Sequence, residues 1–145
     1  VIGHIHMSDE LRPETKEVIV QLKRKGITNI IMLTGDNEKV ASSIAQEIGI
    51  DYRAELLPED KVEAVQSIKQ EYGSVAMIGD GINDAPALAI ANVGISMGAG
   101  GTAVAIETSD IVLSSSASCS STIASSKGKV SSTPFMATYL EGLRL

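Results

Sequence analysis

Apolar residues along the first 113 positions of the chain follow two periods. Short apolar or alternating runs predict strands, and they lie at residues 1–7, 30–33, 52–54, 75–78, 93–97 and 111–113. Between these runs, apolar residues recur at helical spacing. This spacing predicts helices that start at Pro13, before Val40, at Pro58, at Ala85 and at Thr102. The second of these helices is predicted to stop at Gly49.

The regular succession of strands and helices extends over residues 1–113. Such alternation predicts a parallel sheet with helices on both faces, connected by right-handed crossovers. The predicted fold class is therefore α/β, with a doubly wound parallel sheet of the Rossmann type. Residues 1–113 are predicted to form one domain, or most of one.

Residues 114–145 have a different composition from the rest of the chain. Ten of these 32 residues are Ser, and the apolar spacing is lost. Three basic residues against one acidic residue give this segment a charge of +2, which leaves −8 on residues 1–113. Composition of this kind is typical of a disordered tail. Within it, residues 135–145 are predicted to form a short helix.

Composition narrows the classes of function. The net charge of −6 argues against a nucleic-acid partner. No apolar run approaches the ~18 residues that a membrane helix needs, and the first residues do not resemble a signal peptide. The single cysteine, Cys119, fits a reducing compartment. The chain does not begin with Met, which we interpret as a sign that it belongs to something longer.

A cluster of oxygen donors follows the predicted strand at residues 75–78. Residues 79–86 read Gly-Asp-Gly-Ile-Asn-Asp-Ala-Pro. The turn leaves Asp80 at the carboxyl end of the strand, where open α/β sheets bind ligands, and Asn83 and Asp84 follow closely. Hard oxygen ligands suit Mg²⁺, so Asp80 and Asp84 are the predicted metal ligands. The alternative is a polar turn in which Asp84 caps the next helix.

A second loop is expected at the same edge of the sheet. Thr34, Gly35 and Asp36 follow the predicted strand at residues 30–33. A hydroxyl and free N–H groups at a helix start form an anion site. The alternative is an ordinary capped turn.

Lys61 lies in the first turns of the helix that starts at Pro58, beside this edge. A fixed cation there would neutralise a phosphoryl group, whereas the alternative is a solvent-exposed surface lysine. Taken together, Thr34, Lys61 and Asp80 predict phosphoryl transfer with Mg²⁺. No residue has the position of the attacking nucleophile, which an acidic residue at the end of another strand would supply.

Three segments resemble the phosphorylation domain of P-type cation-transporting ATPases, within the haloacid dehalogenase superfamily. They are residues 34–37 (Thr-Gly-Asp-Asn), 57–61 (Leu-Pro-Glu-Asp-Lys) and 79–86, in the family's order and spacing. Residues 33–37 and 94–102 look most like the heavy-metal branch. Within that branch they resemble zinc, cadmium, lead or cobalt pumps more than copper pumps.

The resemblance implies roles for the matching residues. Thr34 and Gly35 would contact the family's phosphorylated aspartate, and Lys61 would stabilise its charge. Asp36 would position the attacking water or link to neighbouring domains.

The resemblance also implies that Asp80 binds Mg²⁺ while Asn83 and Asp84 order the site. The implied reaction is ATP-driven phosphorylation of an aspartate and its hydrolysis, coupled to the transport of a divalent metal ion such as zinc or cadmium.

The chain departs from the family in what it lacks. The Asp-Lys-Thr-Gly-Thr motif, the nucleotide-binding and actuator domains and the membrane helices are all missing from this sequence. The resemblance therefore implies an incomplete domain, the second half of the phosphorylation domain, on the cytosolic side of a membrane protein. Such a fragment is expected to be inactive alone and to work with the missing parts of its parent.

Two other functions remain open at this point. The first is a soluble phosphatase of the same superfamily, which needs an Asp-x-Asp near its start that this sequence lacks. The second is a non-catalytic binding or regulatory protein made from a truncated pump gene, for which the tail at residues 114–145 is the support.

Overall fold

The computed structural model describes residues 13–27, 29–79, 83–97, 107–113 and 135–138. In chain order, its elements are α1 (Pro13–Arg24), β1 (Asn29–Leu33), α2 (Glu38–Ile48), β2 (Asp51–Arg53), α3 (Pro58–Tyr72), β3 (Val75–Gly79), α4 (Ala85–Ile90), β4 (Val93–Met97), β5 (Ile111–Leu113) and β6 (Phe135–Thr138). The predicted strand at residues 1–7 lies outside the described residues. Residues 102–106 of the predicted helix that starts at Thr102 do so too.

The strands form one sheet in the order β2-β1-β6-β3-β4-β5. Every neighbouring pair is parallel. The predicted α/β class with a parallel sheet is therefore confirmed. All the strands end at one edge of the sheet, the edge at which the predicted site residues were expected to meet.

Helices cover both faces of the sheet, because successive side chains of a strand point to opposite faces. One face carries α1 and α2: Ile30 and Ile78 pack with Ile19 of α1, and Met32 packs with residues of α2. The other face carries α3 and α4, and its buried cluster comprises Leu33, Ala64, Val65, Ile68, Val75, Met77, Ala87 and Leu88. The sheet is thus doubly wound, as predicted.

The ends of α2 follow from its sequence. The side-chain oxygen of Asn37 accepts a hydrogen bond from the N–H of Val40 at 3.0 Å, which caps the first turn. At the other end, Gly49 has φ of 70°, a left-handed conformation that glycine adopts without steric cost. The predicted stop of this helix at Gly49 is confirmed.

The C-terminal segment departs from the prediction at four residues. Phe135–Thr138 form β6, whereas the sequence predicted a short helix over residues 135–145 of a disordered tail. Strand β6 pairs with β1 on one side and with β3 on the other. Composition does not predict such a strand, because its position depends on pairing with the edges of two other strands and not on apolar periodicity. The predicted disorder at residues 114–134 and 139–145 concerns positions outside the described residues.

Candidate functional site

The site lies at the carboxyl edge of the sheet, after β1 and β3. Thr34, Gly35 and Asp36 follow β1, Asn83 and Asp84 precede α4, and Lys61 lies in the first turn of α3. Asp80, the first predicted Mg²⁺ ligand, lies outside the described residues. Two contacts organise the described part, one between Lys61 and Asp84 and one between Thr34 and Asp36.

Lys61 and Asp84 form a buried ion pair. The Lys61 Nζ atom donates to Asp84 Oδ1 at 3.0 Å. The two side chains are only 4% and 0% exposed. A lysine that deep in a protein is rarely found without a charged partner, so the alternative of a surface lysine is wrong. The pair joins two elements that lie 23 residues apart in the chain.

The start of α3 explains how Lys61 comes to lie there. Pro58 occupies the first turn, where its missing N–H costs no hydrogen bond. The carboxylate of Asp60 accepts from the N–H of Leu57 at 2.9 Å and closes the turn. The helix then directs Lys61 inward, while its neighbour Glu59 stays exposed.

Asp84 stands at the start of α4 but does not cap it. Its backbone has helical angles, and its side chain makes no capping hydrogen bond, so the alternative of a plain Asp-capped turn does not describe this residue. The carboxylate packs instead against the end of β3. A Cβ atom added at Gly79 would lie 3.0 Å from Asp84 Oδ2. A side chain at position 79 would therefore crowd the carboxylate that reaches Lys61.

Thr34 and Asp36 form a tight turn after β1. The hydroxyl of Thr34 donates to Asp36 Oδ2 at 3.0 Å and accepts from the backbone N–H of Asp36 at 3.1 Å. Thr34 is 1% exposed, whereas Gly35 is exposed to solvent. The turn thus presents its glycine backbone outward and keeps the hydroxyl inside.

The sequence did not predict a role for the loop between β2 and α3. The backbone of this loop is hydrogen-bonded to the turn. It makes two hydrogen bonds with the turn, Leu56 N–H to Thr34 O at 3.0 Å and Glu55 N–H to Asp36 O at 2.8 Å. A third comes from the end of β2, where the Arg53 carbonyl accepts from Thr34 N–H at 3.1 Å. Glu55 has φ of 57°, an unusual conformation for a residue with a side chain. No feature of side-chain chemistry marked this loop, because its contribution comes from the backbone.

The remaining predicted site residue, Asn83, is exposed to solvent beside Asp84. Among the described residues, no group of three or more His, Cys, Asp or Glu side chains could hold a metal ion. The donors next to the end of β3 are nevertheless hard oxygens, as Mg²⁺ prefers. Because Asp84 Oδ1 already receives the ammonium of Lys61, the metal role of Asp84 stays a prediction, as does that of Asp80.

Comparison with known proteins assigns the chain to a family. Residues 1–92 match the haloacid dehalogenase-like hydrolases. The chain therefore belongs to the haloacid dehalogenase-like hydrolase family.

Curated relatives narrow the comparison to metal pumps. The chain is 52% identical over 114 residues to a zinc-exporting P-type ATPase of Mycobacterium marinum (strain ATCC BAA-535 / M), a match that covers 78% of the chain and 16% of the relative. It is 50% identical over 114 residues to a manganese-exporting P-type ATPase of Mycobacterium leprae (strain TN), with the same coverage. The chain thus spans about a sixth of the length of these relatives.

A solved structure supports the same assignment. The crystal structure of a zinc-transporting PIB-type ATPase in the E2.Pi state superposes with a TM-score of 0.66 and 48% identity. The match covers 73% of this chain and 17% of that chain. The resemblance to heavy-metal P-type ATPases that the sequence predicted is confirmed. In the described part of the chain, no helix has the length and apolar character needed to cross a membrane.

Proposed function

We propose that the chain is the second half of the phosphorylation domain of a P-type ATPase that transports a divalent heavy-metal ion. The observation that carries this proposal is the buried Lys61–Asp84 pair at the carboxyl edge of the sheet. A cation fixed at a ligand-binding edge has a clear use in phosphoryl transfer, where negative charge must be neutralised. The identity of about 50% to zinc- and manganese-exporting ATPases supports it.

Lys61 stabilises the charge of the phosphoryl group in this proposal. Its ammonium is held in place before any substrate arrives, because Asp84 accepts from it at 3.0 Å. A preorganised charge in a site that excludes water acts more strongly than one in bulk solvent. Asp84 is therefore a positioning residue for Lys61.

Thr34 and Gly35 contact the phosphoryl oxygens from the side of β1. The exposed backbone of Gly35 is available to a ligand, and the hydroxyl of Thr34 can turn from Asp36 towards an anion. Before a ligand binds, Asp36 accepts a hydrogen bond from that hydroxyl. Once the ligand is bound, Asp36 orients water or a neighbouring domain.

Mg²⁺ is the implied cofactor, and the donors present fit it. Asp80 and Asp84 would hold the ion, and Asn83 would order the site. When bound, the ion supplies positive charge that neutralises phosphoryl oxygens. ATP, the phosphorylated aspartate and the metal-ion path belong to the rest of the parent, a membrane protein whose nucleotide-binding, actuator and transmembrane domains are the proposed partners.

The relatives are named for different transported metal ions. The Mycobacterium marinum relative is named a zinc exporter and the Mycobacterium leprae relative a manganese exporter, at 52% and 50% identity. We propose a divalent transition metal as the transported ion. The 145-residue chain alone does not hydrolyse ATP, because its sequence has no Asp-Lys-Thr-Gly-Thr motif.

A chimera tests the proposal directly. The 114 matching residues of the Mycobacterium marinum zinc exporter are replaced by those of this chain, and phosphoenzyme formation from ATP is measured in membranes. We expect the chimera to form a phosphoenzyme, and its Lys61→Met variant to lose it. Lys16→Met, which removes an exposed lysine on α1, is the matched control and should keep it.

Two results of the chimera experiment would contradict the proposal or one of its parts. A chimera that reaches the membrane and binds ATP but forms no phosphoenzyme would show that this chain cannot serve as the missing half-domain. Equal phosphorylation in the Lys61→Met and Lys16→Met chimeras would remove the proposed role of Lys61 and leave the family assignment untouched.

A further inference from the structure

The hydrogen bonds between β1 and β2 continue beyond the ends of the two strands. Leu33 pairs with Arg53 in parallel register, and the N–H of Thr34 donates to the Arg53 carbonyl at 3.1 Å. In a regular parallel ladder, the Thr34 carbonyl would next accept from the N–H of Glu55. It accepts instead from the N–H of Leu56, at 3.0 Å. The chain after β2 therefore contains one extra residue opposite Thr34.

Glu55 is the extra residue, and its backbone conformation fits that role. Its φ of 57° lies in the left-handed region, and among the described residues it is the only non-glycine residue with a positive φ. Its N–H donates to the Asp36 carbonyl at 2.8 Å instead of to the Thr34 carbonyl. An extra residue in the left-handed conformation resembles a β-bulge, a feature that redirects neighbouring groups next to active sites. We call residues 54–56 the bulge.

The bulge brings two successive N–H groups to the turn after β1. In a regular strand, only every second residue forms hydrogen bonds with a given neighbouring strand. Here the N–H groups of Glu55 and Leu56 both reach the turn, at the carbonyls of Asp36 and Thr34. Gly35 lies between these two carbonyls, and a Cβ atom added to it would lie 3.4 Å from the Leu56 carbonyl oxygen. The bulge is thus in contact with all three residues of the turn.

We propose that Glu55 is a positioning residue for phosphoryl transfer and that it acts through its backbone conformation. With its left-handed φ, it directs the N–H groups of residues 55 and 56 to the turn. The turn then holds the exposed backbone of Gly35 where the phosphoryl oxygens bind. The catalytic consequence rests on the proposed function, whereas the hold on the turn is a property of the bulge alone.

Substitutions at position 55 separate the backbone from the side chain. The Glu55 side chain is exposed, so its replacement does not disturb the core. Glycine adopts a positive φ without steric cost, whereas a β-branched residue such as valine is a true outlier there. Glutamine keeps the size of the side chain and removes its charge. The proposal therefore requires that Glu55→Gly and Glu55→Gln preserve the turn and that Glu55→Val disrupts it.

Hydrogen exchange of the Leu56 amide, measured by NMR in the full chain, tests the hold on the turn. We expect protection within about threefold of wild type in Glu55→Gly and Glu55→Gln. Glu55→Val should lower it at least about tenfold, roughly the effect of one hydrogen bond. Glu63→Val is the matched control, because Glu63 is an exposed glutamate inside α3. It should leave the Leu56 amide protected.

Phosphoenzyme formation in the chimera with the Mycobacterium marinum exporter tests the catalytic consequence. We expect Glu55→Gly and Glu55→Gln to be phosphorylated within about threefold of the rate of the parent chimera. Glu55→Val should be at least about tenfold slower at saturating ATP, because small displacements of positioning groups slow a reaction strongly. Its KM for ATP should stay unchanged, which a general loss of folding would not produce.

Four results would overturn the proposal or its catalytic part. Equal Leu56 exchange in Glu55→Val and Glu63→Val would show that residue 55 does not hold the turn. Slow phosphorylation of Glu55→Gln with a protected Leu56 amide would assign the role to the carboxylate. A parent chimera without phosphoenzyme would overturn the proposed function and the catalytic part, and amide exchange would still decide the hold on the turn. If Glu55→Val does not fold, a urea midpoint of Glu55→Gly below that of wild type counts against the proposal.

Discussion

The first prediction concerns removal of the Lys61 ammonium, which forms a buried ion pair with Asp84. Lys61→Met keeps the length of the side chain but leaves Asp84 as a buried charge without its lysine. The Coulomb attraction across 3.0 Å is about 5.5 kcal/mol at an effective dielectric constant of about 20. Desolvation of both groups offsets much of it, and measured losses on removing one partner of a buried pair are about 3–5 kcal/mol. We expect a loss in this range in the free energy of unfolding.

The chain contains a matched control for this experiment. Lys16 and Glu47 form an ion pair of the same length, 3.0 Å, but their side chains are 55% and 52% exposed. Exposed pairs of this kind contribute about 0–1 kcal/mol. Lys16→Met should therefore change the free energy of unfolding little, and the difference between the two variants isolates the effect of burial.

Urea titration followed by far-ultraviolet circular dichroism is the assay, because the chain has no Trp to report by fluorescence. A double variant, Lys61→Met with Asp84→Asn, also removes the buried negative charge of Asp84. Its free energy of unfolding should be about 2 kcal/mol higher than that of Lys61→Met. The reasoning is refuted if Lys61→Met costs no more than Lys16→Met. It is also refuted if the double variant is no more stable than Lys61→Met.

Three further predictions concern packing, capping and metal binding. Gly94→Ala should cost about 1–3 kcal/mol in a urea titration, because an added Cβ would lie 2.9 Å from the carbonyl oxygen of Leu88; an unchanged midpoint contradicts this. Asn37→Ala should cost about 1 kcal/mol through loss of its hydrogen bond from Val40, and a variant of wild-type stability would show that the cap is not needed. Asp80→Asn should weaken Mg²⁺ binding while leaving the fold largely intact; if the wild-type chain responds to Mg²⁺ in an NMR titration, an identical response from the variant would rule out Asp80 as a ligand.

The regular part of the fold was predictable from the sequence because its signals are local. The apolar runs at residues 93–97 and 111–113 coincide with β4 and β5. Gly49 ends α2 as predicted, through its own backbone conformation. Strand β6 was not predictable in this way, because its pairing with β1 and β3 joins residues about a hundred and about sixty positions apart. Pairing over such distances depends on which sheet edges are vacant once the rest of the fold has formed.

In the site, too, the sequence predicted features that depend on neighbouring residues but not the contacts between residues that are distant in the chain. The sequence predicted that Lys61 and Asp84 have functional positions, but it assigned Lys61 to a phosphoryl group and Asp84 to Mg²⁺. Their mutual ion pair depends on how α3 and α4 lie on one face of the sheet, which no local pattern records. The turn of Thr34 and Asp36 was predictable as a polar loop, whereas its two backbone bonds to the loop before α3 were not.

The most direct test of the central claim is the size and location of the native polypeptide. An antibody raised against residues 79–86 is used on whole-cell and membrane fractions. Because the chain spans 16% of the length of its zinc-exporting relative, we expect a membrane-bound band several times larger than 15.2 kDa. A single band near 15.2 kDa in the soluble fraction would contradict assignment to a pump.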